Sequence, residues 1–128
     1  MKPFTFRAEI DSEPFTRPPV NTYILAKDRK FREELAWIAS LEMKVRKQEM
    51  FTDAIKVWIR ICRNKRVDTR NFGDVDNHLK NIFDALNGVC WSDDAKIVEC
   101  KVSKKQVEEP HISIKIEEIE VEKCLENI

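Results

Sequence analysis

Residues 54–88 read AIKVWIRICRNKRVDTRNFGDVDNHLKNIFDALNG, and the fold turns on how this stretch divides. In its first part Ile55, Val57, Ile59 and Ile61 alternate with Lys56, Trp58 and Arg60. A period of two marks a half-buried strand over 54–62, one face apolar and the other polar. From residue 74 the period changes. Leu79, Ile82, Phe83 and Leu86 follow the i, i+3, i+4, i+7 spacing of one helix face, so a helix is predicted over 74–87, closed by Gly88. Between them RNKRVDTR (63–70) has no periodicity and reads as a basic loop.

The same two periods organise the rest. PFTFRAEI (3–10) places Phe4, Phe6, Ala8 and Ile10 on one side of a first strand. Pro14, Pro18 and Pro19 keep 11–23 extended. A long helix is predicted over 28–50, with Asp28 as N-cap and Phe31, Leu35, Ile38, Leu41, Met43 and Val45 toward a core. Lys44, Arg46 and Lys47 at its end complement the helix dipole. VCWSDD (89–94) is a short apolar piece ending in two acids. Strands follow over 96–104 and 111–119, the second opened by Pro110. The order β-α-β-α-β-β predicts a single α+β domain with a mixed sheet of about four strands and two main helices. Residues 1–116 are read as the folded domain and 117–128 as an acidic C-terminal tail, either a short helix or a frayed end.

At 128 residues, 42% hydrophobic and 36% charged, the chain affords one core and a mostly ionic surface. No apolar run nears the ~20 residues of a membrane span, and the N-terminus has no secretory apolar region. A cytoplasmic location with reduced thiols is therefore expected for Cys62, Cys90, Cys100 and Cys124. These cysteines lack zinc-site spacing, and with only His78 and His111 no Ser-His-Asp or Cys-His triad is arguable. The net charge of zero conceals an asymmetry: residues 1–72 hold 16 Lys/Arg against 10 Asp/Glu, and residues 73–128 hold 7 against 13. A basic part beside clustered acids suits an enzyme that processes a polyanion, and equally an uneven ionic surface.

The informative acids are Asp74, Asp76, Asp93 and Asp94. Each has an ordinary explanation. Asp74 is a natural N-cap, Asp76 suits the positive helix end and is placed to pair with Lys80, and Asp93-Asp94 is a turn. With nine aspartates, on the order of one D-x-D pair arises by chance. The other reading is chemical. Asp74 and Asp76 at a helix start, met by Asp94 from a neighbouring loop, offer hard oxygen donors matching Mg²⁺ or Mn²⁺. Such a cation activates water and neutralises phosphate charge, and Lys80, one turn on, stabilises the transition state.

Taken together, DVDNHLK (74–80), FDALNG (83–88) and WSDDAKIV (91–98) resemble the signature of the RusA-type Holliday junction resolvases, D-x-D-N-x-x-K, L-D-A-L-x-G and W-x-D-D-x-x-I/V. Phe83 replaces the first Leu, and Gly73 stands where a Pro often precedes the first Asp. PPVNTY (18–23) is similar to the family's P-P-S-x-N-x-Y loop, and Phe31-Arg32 to its Y-R. The resemblance implies a Mg²⁺-dependent homodimeric endonuclease, Mn²⁺ also possible, that nicks four-way DNA junctions symmetrically in recombination and repair. It needs no organic cofactor or membrane. It assigns catalysis to Asp74, Asp76, Lys80 and Asp94, the three aspartates being metal ligands. DNA is then expected at a local basic surface drawn from Arg63, Lys65, Arg66, Arg70, Lys101, Lys104 and Lys105. The alternative is a branched-DNA-binding or partner-binding protein that keeps the fold without cutting.

Overall fold

A computed structural model describes residues 3–19 and 24–120. The elements are β1 (Phe4–Ala8), α1 (Ala26–Val45), β2 (Ile55–Arg63), α2 (Val75–Leu86), a 3-10 turn (Asp94–Lys96), β3 (Ile97–Gln106) and β4 (His111–Glu118). This is the expected β-α-β-α-β-β order. The four strands form one mixed sheet in the order β1-β4-β2-β3. β4 runs antiparallel to both β1 and β2, and β3 runs parallel to β2. The parallel pair requires a crossover, and α2 provides it.

Alternation decides which face is buried. Phe4, Phe6 and Ala8 of β1, Ile55, Val57, Ile59 and Ile61 of β2, and Ile112, Ile114 and Ile116 of β4 all point inward. Both helices pack on that face, α1 through Phe31, Leu35, Ala39 and Met43, α2 through Ile82, Ala85 and Leu86. Each buried Val, Leu, Ile, Phe or Met side chain among these is worth about 1.5–3 kcal/mol, and each alanine methyl about 0.8 kcal/mol. The core residues of α1 lie four apart in one row, and Leu41 and Val45, expected inside, stand 41% and 77% exposed on another face. The helix also starts earlier than expected, with Leu25 as N-cap, and Asp28 is fully buried in the first turn rather than capping it.

β4 takes in Glu117 and Glu118, the first two residues of the expected acidic tail, and the Ile119 N–H donates to the Ala54 carbonyl. The sheet, not a frayed end, accounts for these residues. Residues 121–128, with Cys124, lie outside the described residues, as do Val20, Asn21, Thr22 and Tyr23. Among the described residues the other three cysteines form no disulfide, and burial pushes the Cys90 thiol up to about 12. Among the described residues no helix is long and apolar enough to cross a membrane.

Candidate active site

Asp74 is the N-cap residue of α2 and Asp76 stands in its first turn. The segment before them sets their position. Gly73 has a φ of +100°, and a Cβ there would lie 2.6 Å from His78 Nε2 and 2.8 Å from Pro14 Cβ. Only glycine fits both the conformation and the space. Beneath it, His78 is fully buried; Nε2–H donates to the Phe72 carbonyl at 2.6 Å, leaving Nδ1 to accept from the Ser12 hydroxyl at 2.7 Å. Burial lowers the His78 pKa to about 4, so the ring is neutral near pH 7. Ser12 is as inaccessible as its partner, and this Ser-His pair is a clamp between the β1–α1 connection and α2.

Neither aspartate has the partner that a purely structural role would give it. Asp74 makes no side-chain capping bond. Lys80 leans the other way, its Nζ 3.9 Å from Asp84 Oδ2 and 5.0 Å from the Phe15 ring centre, so the expected Asp76–Lys80 pair does not form. Both carboxylates are exposed, with no hydrogen-bond or ion-pair partner among the described residues.

Behind Lys80 lies a polar network that sequence reading missed. Arg32 bonds Asp84 at 3.0 Å and, through Nε, Asn81 Oδ1 at 2.8 Å. Asn81 Nδ2 donates to Asp28 Oδ1 and to the Glu13 carbonyl, both at 2.8 Å. This satisfies the buried Asp28 carboxylate and fixes α1 against α2. The Phe31-Arg32 dipeptide was the available signal, since it singled out Arg32 without naming its partners.

Asp93 and Asp94 divide their work. Asp93 caps the 3-10 turn, accepting from the Ala95 N–H at 3.0 Å. Asp94 Oδ1 accepts from Trp91 Nε1 at 2.6 Å, and the buried Trp91 ring packs edge-on against Phe83 at 5.9 Å. Asp94 is thus anchored at the start of β3, level with Ile55 at the start of β2, whereas Asp74 follows the segment bonded to Arg63 at the end of β2. Trp91, which holds Asp94, packs on Phe83, seven residues and about 10 Å of helix rise beyond Asp76. Asp74 and Asp76 share the start of α2, and Asp94 stands in the 3-10 turn before β3. Among the described residues no group of three Asp, Glu, His or Cys side chains is placed to hold a metal ion. The donor chemistry of Asp74 and Asp76 fits a hard divalent cation, with two carboxylates contributed from this end of the chain.

The expected basic surface is only partly free. Arg63 is not a surface residue: it is buried, bonds Asp11 at 2.8 and 3.2 Å, and donates to the Asn71 and Phe72 carbonyls. It leaves the phosphate-binding set because its guanidinium is already used to hold the end of β2. Arg66 is paired with Asp68 at 2.7 Å, and Lys104 donates to the Val67 carbonyl at 3.0 Å. Lys65, Arg70, Lys101 and Lys105 have no ion-pair partner among the described residues.

A small α+β domain that displays unpartnered aspartates at the start of its crossover helix has a counterpart among nucleases. The family model of the endodeoxyribonuclease RusA matches residues 11–117, and the chain belongs to that family. It is also similar to the Uncharacterized protein YqaN of Bacillus subtilis (strain 168), 29% identical over 111 residues that cover 73% of this chain and 76% of that protein.

Proposed function

We propose that this protein is a divalent-metal-dependent endonuclease that nicks four-way DNA junctions as a homodimer. Family membership supports the nuclease class. Within the chain one observation carries the reading: Asp74 and Asp76 stand exposed at the positive end of α2 without the capping bond or the Lys80 pair that would account for them. Mg²⁺ or Mn²⁺ accepts such oxygen donors while keeping positions for water and phosphate. When bound, the cation lowers the pKa of water and offsets charge on the scissile phosphate. Asp74 and Asp76 are assigned as ligands from one chain. Asp94 is assigned as the third, its Oδ2 left over after the Trp91 bond. Because no three such side chains among the described residues of one chain group to hold a metal, it is assigned to the second chain of a two-fold dimer, which uses the same patch twice. Lys80, held loosely by Asp84, is assigned to the developing phosphate charge.

The test is a four-way junction incubated with protein, with and without Mg²⁺. Asp74→Asn and Asp94→Asn are each expected to bind the junction and not cut it, and Asp74→Asn should melt with wild type because its carboxylate has no partner to lose. An equimolar mixture of the two variants regains about a quarter of the wild-type sites, since half the dimers are mixed and each holds one intact site. Cutting by Asp74→Asn alone overturns the metal assignment. A mixture that stays inactive overturns the shared site. Metal-independent junction binding with no nicks by the wild type supports a binding protein instead.

A further inference from the structure

We propose that the open face of the sheet is a second DNA-binding surface, a track for the phosphate backbone of a single strand, apart from the α2 carboxylates. Among the described residues the helices cover one face only, and outward side chains from all four strands meet on the other. In register, Trp58 lies beside Lys115 on one side and Lys101 on the other, and Arg60 lies beside Ser113 and Ser103. With Arg7 they line a concavity of about 490 Å³. The ammonium groups of Lys56 and Lys115 each stand 4.5 Å from the centre of the Trp58 ring.

The charges on this face are not balanced. Of the acids on this face, Glu99 is engaged by Lys56 at 3.6 Å, Glu9 by Arg7, and Glu117 stands opposite Lys56 in register, whereas Arg60, Lys101 and Lys115 have no carboxylate partner among the described residues. An ordinary solvated face intersperses the two signs. A groove lined by one sign concentrates potential and draws the opposite charge. Two copies placed face to face would oppose cation to cation, which disfavours self-association here. Four strands span about 14 Å, room for one backbone, and an indole flanked by cations is the make-up of single-strand tracks. The surface rests on the nuclease reading only in taking DNA as the polyanion.

The experiment is fluorescence anisotropy of a labelled single-stranded oligonucleotide, with wild type and the double variant Arg60→Gln, Lys101→Gln. Both side chains are exposed and lack ion-pair partners, so the variant should melt like wild type. Losing two phosphate contacts should reduce affinity roughly twentyfold near 0.1 M salt and shrink the log–log salt slope by about 1.4. If no form of the protein nicks DNA and the Arg60/Lys101 dependence remains, the nuclease reading fails and the surface stands. Unchanged affinity and slope in the double variant overturn the surface. So does a double variant that sediments as monomer with its affinity per chain intact, which makes the face an interface between copies.

Discussion

Replacing Arg63 by Gln separates two roles for the same cation. As a phosphate contact, Arg63 would matter to DNA and little to the fold. In the structure its side chain is 8% exposed and serves Asp11 and the carbonyls of Asn71 and Phe72, tying the end of β2 to the chain after β1 and to the turn into α2. Gln cannot reach these acceptors together and carries no charge for Asp11. Breaking a buried pair costs about 3–5 kcal/mol. Two features lower that figure here. The Asp11 side chain is 47% exposed and rehydrates, and the Phe72 carbonyl keeps His78 as a donor. A loss of about 2–3 kcal/mol is expected, and at about 4 °C per kcal/mol Tm falls by about 8–12 °C. Urea unfolding gives the stability, read as a lower midpoint at unchanged m. The salt dependence of DNA binding, measured on the folded variant, should match wild type. An unchanged midpoint together with a salt slope smaller by about 0.9 would refute the structural role and restore Arg63 to the DNA surface.

Gly73→Ala should cost about 2 kcal/mol or more, because a Cβ meets both an unfavourable φ and the His78 and Pro14 side chains, and it should slow nicking by shifting Asp74; thermal melts and single-turnover nicking check both. His78 has a folded pKa of about 4 against about 6.5 unfolded, so the unfolded chain takes up the proton first on acidification. Its contribution is full above about pH 6.5 and is lost as pH falls toward 4, by about 2 kcal/mol between pH 7.5 and 5. Urea unfolding of wild type against His78→Gln isolates that term, and a resonance assigned to the His78 ring and titrating near 6.5 contradicts it. Trp91→Phe keeps an aromatic ring against Phe83 but removes the donor to Asp94 and part of the buried indole volume, so stability should fall by about 2–3 kcal/mol while nicking at saturating protein slows; nicking at the wild-type rate would mean that this bond does not set Asp94.

What could be read in advance is what local periodicity encodes. Ile112, Ile114 and Ile116 could only be one face of a strand, and Leu79, Ile82 and Leu86 one face of a helix. The α1 misreading shows the limit. Trp37, Leu41 and Val45 form an apolar row as regular as Phe31, Leu35 and Met43, and nothing local says which row meets the sheet. Ala39, too small to register as a core residue, belongs to the buried row. Asp28 goes inward with it because its partner, Asn81, comes from 53 residues away. The same holds at the site. The Asp74–Asp76 spacing is local and was legible. That Arg63 is occupied, that Lys80 turns to Asp84, and that Asp94 is held by Trp91 are consequences of packing.

The zero net charge, awkward for a protein that meets DNA, becomes reasonable once its charges are located. The unpaired cations of the sheet lie on the face the helices leave open, and the unpartnered carboxylates lie at the start of α2. A polyanion is drawn to the first and repelled by the second until a divalent ion offsets the acids. Under the proposed function, binding and cutting would have different requirements: attraction would rest on the sheet face and weaken with salt, whereas approach of a phosphate to Asp74 and Asp76 would need the cation as well. A chain whose positive charge was spread evenly would lose that separation. Phosphate would be attracted to the carboxylate end with or without metal, and the ion would cease to decide where DNA comes to rest.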